Sequence, residues 1–128
     1  MIFIDFETKG LNGPITEACA VNETGKVVKY EKDWLDFDAF MSEFIENGEV
    51  VIFWHHFMPI YLSAYQNKTF NKLKDKFLTF VDFYSIFDGV KQPKYSIEEI
   101  TNSLTGRNHK GNAKDDALDL WECFIKMK

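Results

Sequence analysis

The chain opens on an almost unbroken apolar run, Met1-Ile2-Phe3-Ile4, that continues as Asp5-Phe6-Glu7-Thr8. A run this apolar predicts a strand over residues 1–7, buried on both faces. Lys9 to Pro14, with Gly10 and Gly13, reads as a turn. Ile15–Val21 and Lys26–Glu31 read as two further strands, joined by the hairpin connection Asn22-Glu23-Thr24-Gly25. From Asp36 to Glu46 the apolar positions Phe37, Phe40, Met41, Phe44 and Ile45 recur at helical spacing. Asp36 is placed to cap that helix and Asn47-Gly48 to end it. Val50–Phe53 reads as a short fourth strand, and Pro59 marks the start of a helix running to about Gln66. Leu78–Asp82 suggests a fifth strand, followed by a short helical piece to Phe87. Tyr95-Ser96-Ile97-Glu98-Glu99 has the form of a capping box and starts a helix ending near Thr105-Gly106. A last helix spans roughly Asn112 to Lys126. Three strands in succession, then alternating strands and helices, predict an α/β fold: a mixed sheet with helices on both faces.

The length, 128 residues, suits one domain, and no linker or internal repeat divides it. With 45% hydrophobic residues and 13 Phe it can bury a proper core. No run approaches the roughly 20 apolar residues of a membrane span, and no signal peptide is apparent. The expectation is therefore no membrane association. Cys19 and Cys123 lack metal-ligand spacing and are expected as two buried free thiols, which fits a cytoplasmic setting. The net charge of −5 argues against a coat for nucleic acid, which needs a basic surface, but not against an enzyme whose metals neutralise phosphate locally. Acids concentrate in Glu31–Glu49. Lysines cluster in Asn67–Lys76 and Gln92–Lys94, and residues 107–114 are basic. The Lys72–Lys76 group reads as a solvated helix face.

The candidate chemistry begins with Asp5 and Glu7. Side chains two apart on a strand point the same way, so both acids stand on one face at or near the core. Two such carboxylates repel each other and lose hydration unless a cation compensates. A hard divalent ion, Mg²⁺ or Mn²⁺, meets that need. A strand fraying after Asp5, with both acids solvated, is the alternative. In the last helix, Ala113, Ala117, Leu120, Trp121 and Phe124 form an apolar stripe. Asp116 lies on it, while Asp115 and Asp119 fall toward the other side. Acids in a first helical turn also suit the helix dipole. Taken with the two strand acids, however, Asp116 can share a metal.

Ile4-Asp5-Phe6-Glu7-Thr8-Lys9-Gly10-Leu11 resembles the first motif of the DEDD superfamily of exonucleases (the proofreading, RNase T and oligoribonuclease type), whose core reads D-x-E-T-x-G-L. Residues 111–117, Gly-Asn-Ala-Lys-Asp-Asp-Ala, resemble the third motif, H-x-A-x-x-D-A, and Tyr95-Ser96-Ile97 is similar to the Y-S-L segment preceding it. The resemblance implies an RNase H-like fold with a mixed five-stranded sheet. It also implies 3′→5′ hydrolysis of phosphodiester bonds in single-stranded DNA or RNA by two metal ions. Asp5, Glu7 and Asp116 would be three of the four carboxylate ligands. Thr8, Gly10 and Leu11 would border the terminal nucleotide, with Phe57 available to stack on a base.

Two positions depart from that pattern. The second motif, N-x-x-F-D, corresponds to Trp54-His55-His56-Phe57-Met58, so Met58 stands where an acid is expected. His55 or His56 could substitute, or the pair could simply cap a strand end; imidazole suits transition metals better than Mg²⁺. The usual general-base positions are Gly111 and Asn112. His109, in the loop from Arg107 to Gly111, is the remaining candidate base, against a reading as a solvated loop histidine. Asp82 reads as structural, and Trp34, Phe57, Tyr61 and Tyr65 as core. The leading expectation is a small metal-dependent 3′→5′ exonuclease acting on a nucleic acid 3′ end. The rivals are a nuclease-like domain that no longer cuts but binds nucleic acid ends or a protein partner, and another metal-dependent phosphoryl transfer, such as cleavage of a short oligonucleotide. Neither DNA against RNA nor the oligomeric state follows from the sequence.

Overall fold

The computed structural model describes residues 1–10, 13–33, 35–54, 57–65, 67–73, 75–80, 96–108 and 111–127. Strand β1 (Ile2–Thr8) is the centre of a five-stranded sheet ordered β3-β2-β1-β4-β5. On one side β2 (Ile15–Asn22) pairs with it antiparallel, and β3 (Val27–Lys32) continues antiparallel as the edge. On the other side β4 (Val51–Phe53) and β5 (Phe77–Thr79) run parallel to β1. The expected mixed sheet, antiparallel first, is therefore present, and it is consistent with an RNase H-like layout.

Helices cover both faces, and side-chain alternation along β1 decides which residue meets which helix. Phe6 points to one face, where its ring lies 5.2 Å from Phe37 of α1 (Phe37–Glu46) and 5.7 Å from Tyr61 of α2 (Phe57–Tyr65). Phe3 points to the other, 5.3 Å from Phe124. Phe124 lies on the last of the five described helices; α3 (Asn67–Leu73) and α4 (Ile97–Thr105) precede α5 (Ala113–Lys126). Asp5 and Glu7 share the face of Phe3, so they look toward α5.

The end signals at Asp36, Ser96 and Gly106 act as the sequence implies, and Asn112, read as the first residue of the last helix, is its cap. Asp36 Oδ1 accepts the Ala39 N–H at 3.1 Å, Ser96 Oγ accepts the Glu99 N–H at 3.1 Å, and Asn112 Oδ1 accepts the Asp115 N–H at 2.8 Å. Gly106 closes α4 in the left-handed region, at φ 73°. The hairpin connection is held by Asn22, whose side-chain oxygen accepts from the Thr24 and Lys26 N–H groups at 3.0 Å each. Cys19 and Cys123 are free and buried, as expected. Among the described residues no helix is long and apolar enough to cross a membrane.

Three expectations need correction. Strand β5 is shorter than residues 78–82: it begins at Phe77 and ends at Thr79, with Phe80 already in helical conformation. Residues 67–73, of which only the Lys72 end was read as a helix face, form helix α3, which buries Thr69 and Leu73 while Lys72 stays exposed. Tyr65, read as core, is 49% exposed at the end of its helix, with its ring 5.0 Å from that of Tyr61. Trp34, Asp82 and the helical piece to Phe87 lie outside the described residues.

Candidate metal centre

The extended backbone of β1 sets Asp5 and Glu7 side by side, and the capped first turn of α5 brings Asp116 against them. One ligand oxygen from each of the three lies within 4.8 Å of the others. Asp5 and Asp116 are each 3% exposed, and Glu7 is half-buried. This rules out the solvated, frayed-strand alternative for Asp5. Asp116 is oriented twice. Its Oδ1 accepts the Gly111 N–H at 3.1 Å, and its backbone carbonyl accepts the indole N–H of buried Trp54 at 2.8 Å.

The electrostatics are those of a site short of positive charge. Burial, then the neighbouring Asp116 and Glu7, hold the Asp5 carboxyl well above the usual carboxylate range. Burial likewise pushes Glu7 up, to about 7. A hydrogen bond with Asp5 opposes the rise, and the charge of Asp116 adds to it. Asp5 Oδ2 is buried and has no hydrogen-bond partner among the described residues. An orphaned carboxylate oxygen costs free energy in proportion to its desolvation unless something ligates it. Three hard oxygen donors around one such atom fit a hard divalent cation.

These acids line a pocket of about 220 Å³ with Phe6, Thr8, Phe57, Met58, Ile97 and Gly111. Of the residues expected to meet substrate, Thr8 and Phe57 are therefore at the site. The Thr8 hydroxyl donates to the Gly10 carbonyl at 2.6 Å, which folds the chain just past β1. Gly10 itself is exposed at φ 76° and does not line the pocket. Met58, standing where an acid was expected, is 3% exposed in the pocket wall. Leu11, His55, His56 and His109 lie outside the described residues.

Two features escaped the sequence reading. Glu17 on β2 is the register partner of Glu7, and its Oε1 accepts the Ala113 N–H at 2.5 Å, at the start of α5. It is thus a fourth acid beside the cluster, one that grips the helix carrying Asp116. Its proximity follows from strand pairing, which spacing alone does not reveal. Asp119, assigned to the far side of α5, is 6% exposed and pairs with Arg107 at 2.5 Å. Arg107, at the end of α4, also pairs with Glu122, so the covered arc of α5 is wider than its apolar stripe.

No family model and no curated protein matches the chain.

Proposed function

We propose that this chain is a divalent-cation-dependent nuclease of the 3′→5′ exonuclease type, acting on the end of single-stranded DNA or RNA. The observation that carries the reading is the meeting of Asp5, Glu7 and Asp116 in one pocket, with a buried Asp5 oxygen left unsatisfied. The likeness of residues 4–11 and 111–117 to the first and third DEDD motifs supplies the reaction class. Mg²⁺ or Mn²⁺ bound by the three acids supplies Lewis acidity toward a phosphoryl oxygen and lowers the pKa of a bound water.

The chain's own residues have separable parts in this reading. Asp5 and Asp116, buried and held by the fold, fix where positive charge sits. Glu7, half-buried beside them, supplies the third carboxylate to the same pocket. Phe57 and Ile97 offer apolar walls against which a nucleoside can lie. His109 is the proposed general base, a group worth roughly 10²–10⁴ in rate.

The test is 5′-labelled single-stranded DNA and RNA incubated with Mg²⁺, Mn²⁺ or EDTA, beside Asp5→Asn. A ladder shortening from the 3′ end, dependent on metal and absent in the variant, is expected. Activity retained in Asp5→Asn would sink the proposal.

The burial of Met58 in the pocket wall favours a second reading, a nuclease-like domain that binds nucleic acid ends or a protein partner without cutting. Absence of cleavage in any metal, from folded protein that still binds Mn²⁺, would decide for it.

A further inference from the structure

A nucleic acid strand carries a negative charge on every phosphate, and this chain is itself acidic, at −5. The strand behind the terminal nucleotide therefore needs cations outside the acid pocket, and strand register places two. Glu7 on β1 is the partner of Glu17 on β2, and Glu17 is the partner of Lys32 on β3. Directly opposed residues of antiparallel strands share a face, so Lys32 stands on the α5 side of the sheet, in one row with Glu7. Two strand spacings, roughly 10 Å, separate their backbones. In the row of Asp5, Cys19 is the partner of Tyr30, which puts Tyr30 on that face as well. The Lys32 ammonium lies over the Tyr30 ring, 5.4 Å from its centroid, a cation–π contact that steadies the lysine there. Lys114 reaches the same place from α5. It follows Ala113, whose N–H donates to Glu17 Oε1 at 2.5 Å. Glu17 thus stands between two lysines with one oxygen already engaged. Both lysines are exposed, and neither makes an ion pair among the described residues.

Resting on the nuclease reading above, we propose that Lys32 and Lys114 form a phosphate seat for the strand behind its terminal nucleotide, with Tyr30 as the positioning residue for Lys32. The strand then leaves the acid pocket across β2 toward the β3 edge. The seat grips backbone phosphates, so it holds the strand without reading its bases.

The test is the kinetics of a labelled single-stranded oligonucleotide in Mn²⁺. Lys32→Gln and Lys114→Gln are each expected to raise KM about two- to fivefold, with kcat unmoved. The slope of log(kcat/KM) against log salt should flatten by about 0.7 for each lysine lost. Lys72→Gln on α3 removes the same charge far from this face and should leave KM as it is. A KM unmoved in both seat variants, or raised equally by Lys72→Gln, would overturn the proposal while leaving the nuclease reading intact. Tyr30→Leu should raise KM in the wild type but add nothing in the Lys32→Gln background; a rise that persists there would overturn the part given to Tyr30. Should the wild type cleave nothing, the nuclease reading fails, and fluorescence anisotropy of the same strand with Mn²⁺ reads the seat alone. Binding weakened by Lys32→Gln and Lys114→Gln but not by Lys72→Gln would sustain it, and three equal affinities would overturn it.

Discussion

The indole N–H of Trp54 donates to the backbone carbonyl of Asp116 at 2.8 Å, tying the end of β4 to the first turns of α5. Both residues are buried, so the bond is made away from water, where an unpaired partner is costly. Trp54→Phe removes the donor and part of the ring. It is expected to lower stability by about 2–4 kcal/mol, read as a fall in melting temperature. Because the same bond sets where Asp116 stands, Mn²⁺ affinity measured by calorimetry should weaken as well. A variant that melts lower but binds Mn²⁺ unchanged would show that Asp116 is held by other contacts.

The raised carboxyls of Asp5 and Glu7 make stability depend on pH in a direction opposite to that of most acids. The folded protein without metal holds protons that the unfolded chain releases. The contribution is fully present below the ordinary pKa near 4.5 and is lost as pH rises through about 7. In EDTA the site's contribution therefore falls between pH 5 and 8. Mn²⁺, which competes with those protons, should stabilise more at pH 8 than at pH 5.5. Thermal melts at several pH values, with EDTA or Mn²⁺, measure both. Asp5→Asn is expected to flatten the descent in EDTA, with a melting temperature at pH 8 equal to or above the wild type's.

Gly106 and Gly111 form a matched pair. Both have positive φ, 73° and 80°, and a Cβ added at either would meet nothing within 4 Å. Alanine at each should thus cost about 1 kcal/mol through backbone conformation alone. The N–H of Gly106 closes α4 onto Asn102, while that of Gly111 reaches the Asp116 carboxylate. Gly111→Ala is expected to weaken Mn²⁺ binding and Gly106→Ala to leave it unchanged, at similar loss of stability. Equal Mn²⁺ affinities in the two variants would remove Gly111 from the site.

Glu17 can be dissected by the same logic. Glu17→Gln keeps a side-chain acceptor for the Ala113 N–H and removes a charge near Asp5 and Glu7. It should fold with stability within roughly 1 kcal/mol of wild type. Glu17→Ala leaves the first N–H of α5 without its partner and should cost about 1 kcal/mol, with weaker Mn²⁺ binding. If both variants lost Mn²⁺ binding alike, Glu17 would be acting by its charge, as a ligand, rather than by placing the helix.

The sequence carried the strand acids and the helix acid because each obeys a local period. Asp5 and Glu7 are two apart on a strand, and Asp116 sits on an apolar helical stripe. The caps Asp36 and Ser96 were legible for the same reason, since each speaks to an N–H three residues away. What local periods do not encode is the neighbour. Glu17 faces Glu7 through a register that shifts at Thr8, and Asp119 meets Arg107, which arrives from just past α4. Most of helix α3 was not legible beyond its Lys72 end, because its polar residues outnumber the two that it buries, Thr69 and Leu73.

Helix α5 is fastened at two points, to β2 and to the hairpin turn that follows it. Glu17 takes its first N–H, and the Trp121 indole donates to the Glu23 carbonyl at 2.9 Å, over a hairpin turn where a Cβ on Gly25 would fall 2.6 Å from the ring. Asp116 lies between these two fastenings, more than a hundred residues along the chain from Asp5. Joining partners so remote is slow and costly in loop entropy, and local structure gives it no head start. The acid cluster is accordingly complete only once α5 docks on the sheet. A nascent chain still threading from the ribosome carries Asp5 and Glu7 on β1 without their third partner. Any chemistry that needs all three therefore begins only after synthesis has passed α5.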